Sequence, residues 1–595
     1  MIPRDRPFVL LDDARVTAAA PARLFVDPAG IVVARAPGEV APALERLRET
    51  IRGGRHAAGW IGYEAGHALE PKLGARADGT AADGAPLLWF GLFDRVETIA
   101  ADAVPALLPD PAGAWAGTPR PLVSRTDYEA AVARILAFIA AGDIYQANLS
   151  FRATVRIAGH PLALYARLRA ASRAGWGGLI FTGDHWLLSL SPELFFTLDG
   201  GRLTTRPMKG TAPRLMDPAA DAAAVAALAA DPKQRAENLM IVDLLRNDLA
   251  RVAAPGSVSV PALFEIETYP TVHQMTSTVT AELAEGHDAV DVLAALFPCG
   301  SVTGAPKIRA MEIIAETESS PRGAYTGSIG WLAPEGGAAF NVAIRTIMLR
   351  QGEDHGLIGL GSGIVADSTA AAEWDECRAK GAFVTAGARP FDLIETMRFD
   401  AHDGIVDLER HIARMKASAC ALGFRFDHHA LRNELQAATF RLQEDMRLRM
   451  RLSPSGAVAI EASRLPEPPM EEGRVAVAIA SLPVDRADFR LRHKTSDRSF
   501  YDAARAAGGA FETLFVCPEG YVTEGSFTNV FVERRGRLVT PPLSRGLLPG
   551  ILRARLIEEG RAVEGDVRPD DLRKGFLLGN ALRGLILARL AQAGL

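Results

Sequence analysis

Two lysines stand in settings that could turn an amine into a reagent. Lys209 lies in RPMKGTAPR, residues 206–214, on an extended-to-loop segment between Pro207 and Gly210. A lone loop lysine is ordinarily a solvated charge, but flanking proline and glycine fix a backbone path, which is how a nucleophile or a substrate clamp is held still. Lys494 lies in RHKTSDRSFYDAAR, 492–505, with Arg492, His493 and Arg498 beside it. A basic stretch is ordinarily a solvated face. A lysine buried near cations, however, has a depressed pKa and can act as a Schiff-base nucleophile.

Carboxylates supply the second kind of chemistry. Glu237, in RAENLMIVDLLRNDLARV, and Glu376, in AAEWDECRAK, fall on separate helical patterns. Glu376 has a plain reading as a partner of Lys380 at i+4. The functional reading is a hard-cation site, because one or two carboxylates with water and an anionic substrate suit Mg²⁺. Glu524, in YVTEGSFTNVFV, closes one strand pattern before another begins. It reads as a turn carboxylate or, facing pyridoxal phosphate, as the group that keeps the pyridine nitrogen protonated. FPCGSVTGAPKIRAMEII, 297–314, is a Gly/Ser/Thr loop running into an amphipathic helix, whose first N–H groups could meet an anion.

These residues need scaffolds. At 595 residues the chain exceeds one hydrophobic core and allows about three to five ordinary domains or two large ones. Hydrophobic residues make up 48% and charged residues 23%, which excludes disorder for most of the chain. The net charge of −5 and the lack of a Lys/Arg-rich block argue against nucleic acid. No stretch reads as a membrane span, and MIPRDRPFVLLDDAR does not read as a secretory signal, so a cytoplasmic protein is expected. Cys299, Cys377, Cys420 and Cys517 are scattered, with no CxxC and no GxCxG-type nucleophile turn. They predict neither a disulfide framework, nor structural zinc, nor a glutaminase. The segments 101–121 and 213–232 read as loop-like or weakly helical insertions. The sharpest border falls at 384–390, where a helical pattern from Ala370 to Phe383 stops before strand-like FDLIETMRF. Two enzymatic domains are expected, 1–386 and 391–595.

The first domain resembles the chorismate-binding enzymes, a family that includes anthranilate, isochorismate, salicylate and aminodeoxychorismate synthases. The resemblance rests on LLDDAR, GWIGYEAG, GDIYQANLS, SPELFF, RPMKGTAPR, RAENLMIVDLLRNDLARV, TVHQMTST, PCGSVTGAPK, GAYTGSIGW, FNVAIRT, GSGIVADS and EWDEC, in order. It implies an α+β fold, an antiparallel β sandwich flanked by helices. It also implies Mg²⁺ on Glu237 and Glu376, and substrate contacts at Thr303, Gly361, Gly363 and Lys380. Tyr325 and Arg345 match positions that grip an enolpyruvyl carboxylate, where a planar guanidinium suits the anion. Glu193 matches the general acid/base, and His273 an active-site histidine near the ring hydroxyl.

Two positions separate the branches of the family. Water-using members resemble one another in placing a lysine base where this chain has Gln146, and a neutral amide would be a poor base for water. Ammonia is therefore the expected nucleophile. Lys209, where anthranilate synthases typically carry a small residue, resembles the aminodeoxychorismate synthases. Its amine could attack ring carbon 2 as the carbon 4 hydroxyl leaves, before ammonia adds at carbon 4. The ammonia is expected from a glutamine amidotransferase subunit in trans.

The second domain resembles the fold-type-IV pyridoxal-phosphate enzymes, which include branched-chain and D-amino-acid aminotransferases and aminodeoxychorismate lyase. RHKTSDRSFYDAAR, YVTEGSFTNVFV, DLERHIARMKASA and LLPGILRARL carry the resemblance. It implies an α/β fold with the cofactor on Lys494, Glu524 at the pyridine nitrogen and Arg414 at the phosphate. The backbone of Ile551 and Leu552 is expected at the phosphate, with the loop of Asn580 and Ala581 on its other side. Leu552 stands where many relatives have threonine. NAL in LLGNALRG looks more lyase-like than the aminotransferase loop. Together the halves imply bifunctional p-aminobenzoate synthesis, with anthranilate synthase fused to an aminotransferase, or a synthase with a non-catalytic C-terminal module, as rivals. A homodimer through the second domain is an allowed arrangement.

Overall fold

A computed structural model describes residues 2–76, 84–269 and 272–591, without the side chains of 74–76. The chain forms two compact units. One contains 1–108, 118–155 and 165–387; the other contains 109–117, 156–164 and 388–595. The second unit thus takes in two short early pieces, for which a single border at 384–390 leaves no place. The 213–232 region is also more regular than its sequence suggests: Pro218–Ala230 is an α-helix, started by Asp217, whose carboxylate accepts the Ala220 N–H.

Among the described residues the first unit is built on two large sheets. Strands in both sheets pair antiparallel, as between Phe8–Asp12 and Trp176–Phe181, or Ser328–Leu332 and His56–Ile61. Strand alternation sends Val9, Phe25, Ile180 and Leu187 from one sheet against Trp60, Trp89, Phe93 and Ile329 of the other, and these buried side chains form the sandwich interior. On its outer face the second sheet packs against helices Val40–Arg52, Pro232–Ala250 and Ala289–Leu296 through Leu44, Leu47, Ile241, Leu245 and Leu293. No helix among the described residues is long and apolar enough to cross a membrane.

The second unit has a four-stranded antiparallel sheet and an eight-stranded mixed one, counted among the described residues. In the small sheet, Leu393–Asp400 pairs with Met446–Leu452, which pairs with Val458–Arg464. Helix Leu408–Ala421 covers it with Ile412, Met415 and Ala419, one stripe at helical spacing. The larger sheet runs Val475–Ser481 parallel to Glu512–Val516 and to Gly584–Leu590. Helices Ser499–Gly508 and Ile551–Glu558 flank it. The two sheets are joined at Lys494, whose carbonyl accepts the Ile394 N–H, while Leu393 bridges Thr495.

Candidate active sites

In the first unit, Lys209 sits on strand Met208–Pro213, between a helix and a second strand edge. A Cβ added at Gly363 would lie 2.7 Å from Lys209 Nζ and 3.0 Å from Gln146 Nε2, so glycine is what lets amine and amide share this space. Gln146 is fully buried, and neither its Nε2 nor its Oε1 has a hydrogen-bond partner among the described residues. Burial of such an amide without a partner is costly, which marks it as poised for a ligand. Desolvation and the charge of Lys380 push the Lys209 pKa down, against the carboxylates of Glu237, Glu376 and Glu193.

Glu193 precedes strand Leu194–Asp199 and is 5% exposed. Burial pushes its carboxyl up to about 7, although Ser301 donates to Oε1 at 2.6 Å and the charges of Lys209 and Lys380 oppose the rise. Ser301 lies in the PCGSVTGAPK loop, where nothing in its immediate sequence marks it as the carboxyl's partner.

Glu237 is placed by helix Pro232–Ala250, whose start is fixed by Pro232 and by Asp231 accepting the N–H groups of Lys233 and Gln234. Glu376 is placed by helix Ala370–Lys380, which buries Trp374 and Cys377 on its other face. Desolvation raises the Glu237 pKa, and the charge of Glu376 adds to the rise. Glu376 pairs with Lys380 at 2.8 Å, and Lys380 also donates to the Gly361 carbonyl at 2.9 Å. Gly359 lies beneath the Tyr325 ring, where any side chain would overlap it. Arg345 holds a left-handed φ of 49°, and burial lowers the pKa of its guanidinium, which has no carboxylate partner among the described residues.

In the second unit, Lys494 lines a cavity of about 500 Å³ together with Arg414, Glu524, Tyr501, Gly550 and Asn580. Desolvation brings the Lys494 amine down to about 7, Glu395 opposing and Arg414, Arg498 and Arg449 assisting. Glu524, 3% exposed, accepts the Tyr501 hydroxyl at 2.6 Å and the Leu548 N–H at 3.0 Å, and burial pushes its carboxyl up to about 7. Arg414 donates Nε and Nη2 to the two oxygens of Glu395, at 2.8 and 2.6 Å, and Nη1 to the Pro549 carbonyl at 2.9 Å. Glu395 also meets His411 Nδ1 at 2.7 Å. Burial favours a neutral Glu395, but Arg414 and His411 hold its pKa well below the usual carboxylate range.

Residues 8–386 match the chorismate binding enzyme family. The chain belongs to that family. Residues 392–590 match the class IV amino-transferases. Aminodeoxychorismate synthase component 1 of Klebsiella aerogenes is 49% identical over 254 residues, 43% of this chain and 56% of that one. Anthranilate synthase component 1 of Thermus thermophilus is 44% identical over 254 residues, covering 43% and 54%. The chain therefore spans about half the length of these curated relatives. The crystal structure of anthranilate synthase component I from Streptococcus pneumoniae superposes with a TM-score of 0.53 at 26% identity, over 62% of this chain and 93% of that one.

As a chorismate-binding enzyme, the chain brings Lys209, Gln146, Gly363, Glu193, Lys380, Glu237 and Glu376 into one neighbourhood. His273 is buried and has partners on both ring nitrogens. It is 1% exposed, with Nε2 at 2.8 Å from Asp221 and Nδ1 at 3.0 Å from Thr268. Thr303 spends its hydroxyl on the Gly300 carbonyl at 3.1 Å.

In the class IV half, Ile551 opens its helix after Gly550, where a Cβ would overlap Asn529. Leu552 packs with Phe531 and Leu556, so its side chain fills core. Asn580 caps its turn by accepting the Arg583 N–H at 2.9 Å, and its Nδ2 donates to the Phe527 carbonyl at 3.3 Å.

Both implied groups fit their surroundings. His411 Nε2 is buried beside the cavity without a partner, and Gly550 and Lys494 line a space of cofactor size, which suits pyridoxal phosphate. No cluster of three or more His, Cys, Asp or Glu exists among the described residues that could hold a metal. Glu237 and Glu376 alone would leave a cation positions for water and substrate oxygen, as Mg²⁺ prefers.

Proposed function

We propose that the first unit aminates chorismate at ring carbon 4 to give 4-amino-4-deoxychorismate, and that the second eliminates pyruvate from that product to give p-aminobenzoate, a folate precursor. The observation that carries this reading is Lys209, its amine pKa lowered, packed against the partnerless amide of Gln146 and within the field of Glu193.

A lysine nucleophile must be neutral, and an acid for the leaving hydroxyl must be protonated; both settings are supported by the directions of their pKa shifts. Lys209 attacks ring carbon 2 while Glu193 protonates the departing carbon 4 hydroxyl. Ammonia then adds at carbon 4 and the bond from carbon 2 to Lys209 breaks. Gln146 cannot deprotonate water, which favours ammonia. Arg345 and Tyr325 hold the enolpyruvyl carboxylate. Mg²⁺ on Glu237 and Glu376 would neutralise the ring carboxylate.

In the second unit, pyridoxal phosphate would supply an electron sink joined to the substrate amine. Lys494 would hold it, Glu524 would face its ring nitrogen and Tyr501 would keep Glu524 oriented. Arg414 and the backbone at Ile551, Leu552, Asn580 and Ala581 would receive its phosphate. Lys494, with a pKa near 7, is suited to carry the proton from ring carbon 4 to the departing pyruvate.

The ammonia is assigned to a glutamine amidotransferase subunit in trans, in keeping with relatives named as component 1. A cytoplasmic enzyme, dimeric through its second unit, completes the proposal. Incubation with chorismate, Mg²⁺ and ammonium tests it. The expected product is p-aminobenzoate when pyridoxal phosphate is present and 4-amino-4-deoxychorismate when the cofactor is stripped. Anthranilate would overturn the assignment.

A further inference from the structure

The Lys494 cavity is lined by six arginines, Arg414, Arg447, Arg449, Arg498, Arg505 and Arg583, against the carboxylates of Glu524 and Asp502. Three of the six are committed. Arg414 is held by Glu395, Arg498 donates to the Ser526 carbonyl, and Arg505 pairs with Asp502 at 3.5 Å. Arg447, Arg449 and Arg583 have no carboxylate partner among the described residues.

Their placement is built rather than incidental. In strand Met446–Leu452, MRLRMRL, the buried Leu448, Met450 and Leu452 face the helix-covered core, which sends Arg447 and Arg449 to the opposite, cavity side. Arg583 is anchored by the Asn580 turn, and its guanidinium lies 5.4 Å from the Phe527 ring centroid. Its Nε is buried with no hydrogen-bond partner. Burial, and then the charge of Arg447, lowers the Arg583 pKa, so the two guanidinium groups act on each other as like charges. Two repelling, partly desolvated forks with unused donors match one carboxylate.

We propose that Arg447 and Arg583 form a substrate-carboxylate subsite, separate from the Arg414 anion site, that selects an amine substrate carrying a second anionic group. The inference rests on the reading of Lys494 as the cofactor lysine and deepens it. The 4-amino-4-deoxychorismate proposed above carries two carboxylates. A substrate with a single carboxylate can satisfy either this pair or the equally uncommitted Arg449, not both, so the cavity favours a dianion. The same donors could instead serve the cofactor's phosphate, and the test separates the two.

The full chain is loaded with pyridoxal phosphate and titrated with 3-(carboxymethoxy)benzoate, which has two carboxylates, or 3-methoxybenzoate, which has one. Binding is followed by the cofactor's visible absorbance, which reports this cavity and not the chorismate site. The dianion should half-saturate at about a tenfold lower concentration or less, a difference of about 1.4 kcal/mol. Arg447→Gln and Arg583→Gln should each shrink that ratio to about threefold or below while leaving pyridoxal phosphate affinity within about twofold. An unchanged ratio in both variants, or an equal or absent response to the two probes in the native chain, overturns the subsite. So does loss of cofactor affinity with the ratio intact, which would give the pair to the phosphate. Absence of the visible band in the native chain would remove the reading of Lys494 and the subsite with it.

Discussion

The hydroxyl of Ser301 donates to Oε1 of Glu193 across 2.6 Å, joining a loop to a strand start 108 residues away in the chain. The bond favours the charged carboxylate, while burial favours the neutral acid and prevails. Ser301→Ala should therefore raise the Glu193 pKa further. If Glu193 is the acid for the departing hydroxyl, activity falls as pH rises through its pKa. The descending limb of kcat should then move to higher pH by up to about one unit. Ser301→Thr should restore the native profile. An unmoved limb in the alanine variant would separate Ser301 from the chemistry.

Lys209→Ala should reduce chorismate amination by on the order of 10²-fold or more, because the nearby amine of Lys380 is held by Glu376 and the Gly361 carbonyl. The visible absorbance of the second unit should be unchanged. Full amination by this variant would refute the nucleophile.

Lys494→Ala should do the converse. Chorismate should still be consumed with ammonium, 4-amino-4-deoxychorismate should accumulate, and the visible cofactor band should be lost. Chromatography of the reaction mixture distinguishes this from a damaged first unit, which would leave chorismate intact.

Glu237→Gln and Glu376→Gln should each raise the Mg²⁺ concentration for half-maximal amination by about tenfold or more. Chelation should stop amination and leave conversion of supplied 4-amino-4-deoxychorismate unaffected. Equal Mg²⁺ dependence in native and variant chains would move the cation elsewhere.

Glu395→Gln tests the buried triad with Arg414 and His411. Removing one partner of a buried, hydrogen-bonded ion pair costs about 3–5 kcal/mol. Hydrogen exchange should accelerate in helix Leu408–Ala421, which carries both cations. The folded Glu395 pKa is depressed, so its stabilisation is present above the ordinary value of 4.5 and is lost as pH falls below it. The variant should show a shallower loss of stability on acidification.

What could be read from the sequence was what lies close together along it. Lys209, Lys494 and Glu524 announce themselves through their immediate neighbours, and the antiparallel sandwich and the α/β second domain followed from the family likeness that those motifs carry. Long-range partners were not legible in the same way. Glu395 reaches Arg414 and His411 only because a strand and its covering helix bring them face to face. The Tyr501 hydroxyl meets Glu524 from a different element. The partners of His273 were equally hidden: Asp221 and Thr268 meet its two nitrogens, and Asp221 comes from a helix that the sequence made look like a weak insertion. Arg447 and Arg449 did carry a local signal, the strict alternation of arginine with Leu448, Met450 and Leu452.

That alternation has a consequence for how the protein can change over generations. A strand whose two faces do separate work tolerates no insertion or deletion, since one residue of slip would carry the arginines into the core and the leucines into the cavity. Preference for one ligand over another at this wall can drift only through replacement of single residues, each in place. Its ancestry is accordingly spelled in residue identity at 447 and 449, with strand length held constant.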